Sequence, residues 1–353
     1  MSRQRSEDGM QMRDGIREAH LYRRLGEGRV QCQTCAHYCV LKVGERGRCG
    51  VKGNIDGKLY TLVYGKACAA NIDHIEKKPF FHFLPGSSSY SIATVGCQFQ
   101  CKNCQNWQIS QGPKLGGEIW GQDLAPDIIV TQAKAYHCDS ISYTYTDPIV
   151  FSEYALDTMR IAQNEGIKNL WVSSGFWSKE LFDMVSPYVD ATNIDLKYFS
   201  DRDYKEYSEG RLKPVLDTIK RVKRKGIWLE LTTLVIPTIS DTEEVLEAIA
   251  NFIKNELGPD TPWHVSHFSG AISWKLRHLP DTPVEVLIKA REIGLSKGLK
   301  YVYIGNVAGI QGESTFCPNC KAKVIERIGY SVKRFDENGK CSRCGEDLNL
   351  TLS

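Results

Sequence analysis

The 353-residue chain is predicted to be an α/β protein, a partial, TIM-like (β/α)6 barrel carrying a small Cys-rich, metal-binding appendage at each end. Three observations predict it. Short β-branched or aromatic runs alternate with amphipathic stretches between about residues 90 and 305, the pattern of strands joined by crossover helices. Eleven of the thirteen cysteines fall into three groups, two flanking that alternation and one just after its first strand. No Gly-rich phosphate loop follows the first strand, which weighs against a doubly wound open sheet. The expected division is an N-terminal Cys-rich region over 1–85, the barrel over 86–310 and a zinc-ribbon-like domain over 311–353.

The strands are expected at "YSIATVG" (90–96), "SISYTYT" (140–146), "KNLWVSS" (168–174), "ATNIDLKYF" (191–199), "IWLELTTLVI" (227–236) and "PWHVSHF" (262–268). Between them lie "APDIIVTQAKAYH", "SEYALDTMRIAQNEG", "WSKELFDMVSPY", "KPVLDTIKRVKRKG" and "TEEVLEAIANFIKNELG". Several of these start at Asp, Ser or Thr and stop at Gly, as helix caps prefer. Six such units in series argue for a parallel sheet rolled into part of a barrel. A last run, "LKYVYIGNV" (299–307), is placed as an added edge strand.

Composition sets outer bounds. The net charge is +3, from 45 Lys and Arg against 42 Asp and Glu, so nothing in the charge balance argues for nucleic acid. Hydrophobic content of 42% suits a soluble globular protein, and no apolar run approaches the roughly 20 residues that cross a bilayer. The opening "MSRQRSEDGMQMRDGIREAH" has no apolar core and is not read as a secretory signal. The expected compartment is therefore the cytoplasm, where thiols stay reduced and thirteen cysteines point to metal rather than disulfides.

The most informative cysteines are Cys97, Cys101 and Cys104, at C-x3-C-x2-C spacing on a strand-to-helix loop. A 4Fe–4S cluster has four irons and normally takes four thiolates. Three thiolates leave one iron open to a second molecule. The bland alternative is a zinc knuckle or three unrelated thiols. Cys317, Cys320, Cys341 and Cys344 form two CxxC knuckles 20 residues apart, which match a closed tetrahedral zinc site, although a rubredoxin-like iron has the same geometry. Cys32, Cys35, Cys39 and Cys49, at C-x2-C-x3-C-x9-C among glycines, fit zinc or an auxiliary iron–sulfur cluster, with zinc slightly favoured. Cys68 and Cys138 have no assigned role.

In a parallel barrel the chemistry lies where strands end and βα loops begin. The second strand delivers Thr144, Thr146 and Asp147 there, and the third Ser173, Ser174 and Gly175, read as a binding turn or an ordinary one. Asp195 and Lys197 are two apart on the fourth strand and share a face; an ion pair filling the barrel is the alternative to a functional role. Leu234, Val235 and Ile236 suit an adenine face or simple packing. His264 and His267 face opposite sides, and a lone strand histidine is more often a satisfied core residue.

The stretches "IEKKPFFHFLPGSSSYSIATVGC", "CQNWQIS", "SYTYTDP", "DLKYF", "LVIPTISD", "PWHVSHF" and "YVYIGNVAGIQGESTFCPNC" together resemble the AmmeMemoRadiSam system radical S-adenosylmethionine (SAM) enzymes, relatives of the pyruvate formate-lyase activating enzymes. The likeness runs from about Cys32 to Cys344. It implies a radical SAM barrel, a 4Fe–4S cluster on Cys97, Cys101 and Cys104, SAM on the open iron, and reductive cleavage of SAM to a 5′-deoxyadenosyl radical that abstracts hydrogen from a substrate. It makes Asp147, Ser174, Asp195 and Lys197 candidate SAM or substrate contacts, with Asp147 standing where such enzymes often carry the acid of Gly-Gly-Glu-Pro, 43 residues beyond Cys104. The literal Gly116-Gly117-Glu118 is read as a loop. Two departures are visible: Asn103 stands where an aromatic residue usually neighbours the adenine, and Asp147 is one methylene shorter than Glu. The resemblance further implies an oxygen-labile enzyme, an external electron donor such as ferredoxin or flavodoxin, and association with other proteins of its gene system.

Two alternatives stand beside this reading. One is an activase that plants a glycyl radical on a partner protein, since some activases carry an extra N-terminal metal domain. The other is a zinc-dependent nucleic-acid-binding module, for which "KRVKRKG" (220–226) is the sole basic patch and is more often a solvated helix face.

Overall fold

The computed structural model describes residues 15–353. The polar opening segment on which the signal-peptide reading rested lies largely outside the described residues. Eight strands form one sheet, and their spatial order is their chain order: β1 (Ala69–His74), β2 (Ser88–Ala93), β3 (Ser140–Tyr143), β4 (Lys168–Ser173), β5 (Ala191–Asp195), β6 (Trp228–Val235), β7 (Trp263–His267) and β8 (Val302–Gly305). From β2 onward every pairing is parallel. Among the described residues the ladder does not close from β8 back to β1, so the barrel is open. All six predicted strands and the added edge strand are present. The antiparallel edge strand β1 is an addition, for "AANIDH" alternates weakly and was not read as a strand.

The crossovers are α2 (Pro126–Ala135), α3 (Ser152–Asn164), α4 (Lys179–Val185), α5 (Asp201–Ser208), α6 (Leu212–Lys225), α7 (Glu243–Phe252) and α8 (Val284–Ser296), preceded by the short α1 (Trp107–Gln111). Their starts follow local chemistry: Ser178, Ser200 and Thr242 each accept a hydrogen bond from a backbone N–H of the first turn. α6 stops at Gly226, whose φ of +79° only glycine adopts without strain. Between helices and sheet lies one continuous apolar core, including Ile141, Trp171, Ile194, Leu231, Trp263 and Ile304, all nearly inaccessible. The "KRVKRKG" residues sit at the end of α6 with Lys223, Arg224 and Lys225 exposed, a solvated face.

The open barrel has two differently built ends. At the N-terminal ends of the parallel strands, residues 75–87 between β1 and β2 form a plug. Glu230, fully buried on β6, accepts from the backbone N–H groups of Phe81 (3.0 Å) and His82 (2.9 Å) and pairs with His264 Nε2 at 2.7 Å. Arg327, 2% exposed, donates to the Phe81 carbonyl (2.6 Å) and lies 4.2 Å above its ring. Arg327 belongs to the strand Lys323–Ile328 of the C-terminal three-stranded sheet. The tail then returns beneath the barrel, where Leu84 N–H donates to Thr351 O and Thr351 N–H to His82 O. The C-terminal appendage is thus built into the floor of the barrel. The expected boundary at 85/86 falls inside the β1–β2 hairpin, which belongs to the central sheet.

Candidate active site

At the opposite end, β2 runs into Thr94-Val95-Gly96 and then the cysteine loop. Gly96 has φ +96°, and a Cβ there would stand 2.6 Å from Val51, so the turn that aims Cys97 inward requires glycine. The loop is tied down across the sequence: Gln100 N–H donates to Ser208 O and Lys102 N–H to Tyr207 O, both at the end of α5. The sulfurs receive polar neighbours, with Ser208 Oγ donating to Cys101 Sγ at 3.2 Å and Ser110 Oγ 3.3 Å from Cys104 Sγ. Burial pushes the Cys97 thiol up to about 12; ligation, which requires thiolate, must overcome that cost.

The three thiols are not gathered around a single ion. Among the described residues, the only group of three or more ligand atoms all within 4.8 Å of one another is Cys317, Cys320, Cys341 and Cys344. A cubane takes each thiolate on a different iron and so spreads its ligands wider than one tetrahedral ion does. The loop of Cys97, Cys101 and Cys104, with serine hydroxyls in hydrogen-bond contact with two sulfurs, fits such a cluster.

Asp147 and Ser174, both predicted site residues, meet in one buried network that Gln98 completes. The Asp147 carboxylate accepts from Gln98 Nε2 (2.7 Å), Ser174 N–H (2.8 Å), Ser174 Oγ (2.6 Å), Ser173 Oγ (2.9 Å) and Ile149 N–H (3.2 Å). Five donors use the acceptor positions of one carboxylate, so in this structure Asp147 organises the β3 and β4 loops around the residue after Cys97. Trp177 Nε1 extends the network to Ser173 Oγ at 2.8 Å. The preceding Tyr145 is left-handed, φ +63°, and its hydroxyl donates to Asp73. Such local strain persists only where surroundings impose it.

Asp195 and Lys197 pair at 2.7 Å, with the lysine side chain 16% exposed. Burial works against the ammonium, but Asp195 and the nearby Cys101 sulfur outweigh it and hold Lys197 above its ordinary value. The pair lies near Cys101 of the cysteine loop. Asn103 accepts from Tyr198 OH at 3.3 Å. Gly116, Gly117 and Glu118 form an exposed loop, as read. His264 points into the plug at the other end, where its Nε2 pairs with Glu230 while its buried Nδ1 has no hydrogen-bond partner among the described residues. Gln98, Trp177 and Ser208 were missed: their partners lie 4 to 107 residues away, and no local pattern marks them.

The C-terminal quartet fits one tetrahedral ion. Cys317 and Cys344 stand 3.5 Å apart and Cys320 and Cys341 3.6 Å, close to the roughly 3.8 Å that 2.3 Å metal–sulfur bonds impose on a tetrahedron. Burial opposes ionisation of Cys341, but the N–H groups of Arg343 and Cys344 outweigh it and bring the thiol down to about 7.

An open parallel α/β barrel with a three-cysteine loop at the C-terminal end of an early strand defines a class, the radical SAM fold. The Radical SAM superfamily pattern matches residues 91–253. The chain is 44% identical to an uncharacterised protein of Methanocaldococcus jannaschii over 340 residues, 96% of this chain and 100% of the relative. It is 22% identical to the pyruvate formate-lyase-activating enzyme of Clostridium pasteurianum over 166 residues, 45% of this chain and 67% of that one. Streptococcus suis SuiB bound to precursor peptide SuiA has a similar fold, with TM-score 0.50 and 12% identity over 67% of this chain and 52% of that one. The chain belongs to the radical SAM superfamily and is an enzyme. Among the described residues no helix is long and apolar enough to cross a membrane.

Proposed function

We propose that the protein binds a 4Fe–4S cluster through Cys97, Cys101 and Cys104 and reductively cleaves SAM. The observation that carries this reading is the cysteine loop itself: three half-buried thiols at a barrel mouth, spread rather than collapsed, with Ser208 donating to Cys101 and Ser110 in hydrogen-bond contact with Cys104. When bound, the cluster and SAM supply one-electron chemistry and a 5′-deoxyadenosyl radical for hydrogen abstraction from a substrate.

The protein's own residues hold and shield that chemistry. The Asp147 network fixes Gln98 and the Ser174 backbone beside Cys97, so that the loop does not reorganise as the site fills. Lys197 places a positive charge by Cys101, where it offsets the negative charge of thiolate ligands and can receive a carboxylate of SAM or substrate. Asp195 holds that ammonium in place. An external one-electron donor of the ferredoxin or flavodoxin kind supplies the electron. The C-terminal quartet carries zinc in a structural role. The narrower resemblance, to the AmmeMemoRadiSam system enzymes, suggests partner proteins from that system.

A second reading, a glycyl-radical activase, is favoured by the likeness to the Clostridium pasteurianum activating enzyme. Its mark is a glycyl radical signal on a partner protein. The primary test is anaerobic reconstitution followed by chromatography for 5′-deoxyadenosine with dithionite and SAM. Product is expected from the native protein and not from a C97A/C101A/C104A variant. A native protein that carries zinc alone and leaves SAM intact overturns the reading.

A further inference from the structure

We propose that Cys32, Cys35, Cys39 and Cys49 hold a second 4Fe–4S cluster, ligated by all four thiolates, rather than a zinc ion. All four residues line a single pocket, together with Thr34, Lys52, Gln98, Ile149 and Val150. The sequence left zinc and iron–sulfur open; the arrangement of the sulfurs separates them.

A tetrahedral zinc site brings every pair of sulfurs to roughly 3.8 Å, and the four sulfurs of the C-terminal quartet all lie within 4.8 Å of one another. No three of the N-terminal thiols come within 4.8 Å of one another. They are arranged around a space instead of a point. Gly47 shows the enclosure directly: a Cβ at this residue would lie 3.9 Å from both Cys39 Sγ and Cys49 Sγ. The glycine therefore brings backbone, with no side chain, up to two of the four sulfurs.

The spread is built in rather than loose. Cys32 N–H donates to Cys39 O at 2.9 Å, Gly47 N–H to Lys52 O at 2.8 Å and Gly50 N–H to Gly47 O at 2.8 Å, so the backbone of both halves is held. Cys35 forms a β-bridge with Trp177, and Ala36 N–H donates to Phe176 O at 3.1 Å. Ile149 and Val150 give the cavity an apolar wall, which keeps water from a cluster and its sulfides. Lys52, on the same wall, is 1% exposed and paired with fully buried Glu153 at 2.5 Å.

The location adds a second argument. Phe176 and Trp177 follow β4 at the catalytic end of the barrel, and Gln98 is part of the cavity wall. Gln98 is also the residue after Cys97 and the partner of Asp147. A Cβ on Gly96 would stand 3.0 Å from the Cys49 carbonyl oxygen. The two cysteine groups thus share one layer of residues. A cluster with four thiolate ligands has no open iron, so this one is closed to substrate and suited to outer-sphere electron transfer.

The proposal does not rest on SAM cleavage, and a variant lacking the first site tests it. The C97A/C101A/C104A protein, reconstituted anaerobically with iron and sulfide, is expected to hold about four iron and four sulfide per chain. Its reduced-state electron paramagnetic resonance signal should be indifferent to SAM. Zinc near one per chain reports that the C-terminal fold is intact. Zinc near two with no iron, or no metal beyond the C-terminal ion, overturns the proposal. Should the variant not fold, Mössbauer spectra of the native protein decide. With two clusters, SAM alters about one iron in eight; with one cluster, about one in four. Four irons retained by the variant, together with a native protein that does not respond to SAM, would sink the proposed function and leave this inference standing.

Discussion

The two cysteine quartets have the same ligand count and sit at opposite ends of one barrel, yet their sulfurs are placed differently. The C-terminal four draw together to 3.5–3.6 Å pairs in a small sheet whose own core is little more than Cys317, Val324, Cys341 and Leu348. So small a core gains from a staple, which the zinc proposed for this site would supply. The N-terminal four stand apart around a cavity whose walls are borrowed from the barrel, and its backbone is pinned independently of any metal. Ligand number alone does not reveal what a cysteine set does. The distance between sulfurs and the ownership of the surrounding core do.

The sharpest way to break this comparison is to remove ligands from the staple. A C341S/C344S protein should lose its zinc, and with it most of the roughly 10–16 kcal/mol that structural zinc contributes in small domains. Residues 315–353 should then become open to limited proteolysis while iron content is kept. A tail that stays protected without zinc would show that the floor of the barrel, not the ion, holds it.

The floor itself predicts the next effect. Glu230→Ala strands His264, two backbone N–H groups and Trp228 Nε1, which also donates to this carboxylate at 3.1 Å. Removing one partner of a buried pair costs about 3–5 kcal/mol, read as a lower denaturant midpoint. Asp195, whose side chain is 36% exposed and pairs with Lys197, is less buried, so Asp195→Ala should cost far less stability.

Acid should attack the same end. Burial holds His82 down to about 4 from 6.5, and Glu230 is held down to about 2 from 4.5: burial opposes that shift, but the hydrogen bond and charge of His264 exceed it. Both values are depressed on folding, so the stability they carry is complete at neutral pH and is lost as pH falls. The His82 share disappears between about 6.5 and 4 and amounts to about 3 kcal/mol. The Glu230 share follows between about 4.5 and 2. In a His82→Gln protein the urea midpoint should change less between pH 6.5 and 4 than in the native protein.

At the catalytic end, Asp147→Asn exchanges an acceptor for a donor amid five donors. A loss of about 1–3 kcal/mol of local order corresponds to a ten- to hundredfold drop in 5′-deoxyadenosine formed, with iron content unchanged. A drop in iron to match would instead mean that the network supports the cluster loop itself. The smallest effect belongs to the basic face of α6. Arg224→Ala with Lys225→Ala should stay within about 0.5 kcal/mol of the native stability, and the pair should leave nucleic-acid affinity, measured by fluorescence anisotropy, unchanged.

Local chemistry made much of this molecule readable. Strand positions followed from β-branched runs, several helix starts from residues such as Thr242, and the quartets and triad from spacing along the chain; α5 with its Ser200 cap escaped. The edge strand β1 escaped because "AANIDH" is largely exposed, so the alternation that marks a half-buried strand is absent. Gln98 and Ser208 escaped because a glutamine or a serine becomes a site residue only through the partner the fold supplies. His264 was legible as a core histidine, but Glu230, His82 and Arg327, 34 to 182 residues from it along the chain (264 minus 230, 264 minus 82), could not be joined to it in advance.

By itself the sequence determined which atoms the protein can offer: three thiols after a first strand, two sets of four, and an alternating chain that must form a parallel sheet. These are short-range properties, set by backbone periodicity and by side chains within one loop. Only the tertiary structure decided that one quartet closes on a point and the other encloses a cavity, that Asp147 answers to Gln98 and Ser174, and that the tail seals the barrel floor. Those outcomes depend on distances between residues far apart in the chain, and packing in three dimensions sets such distances.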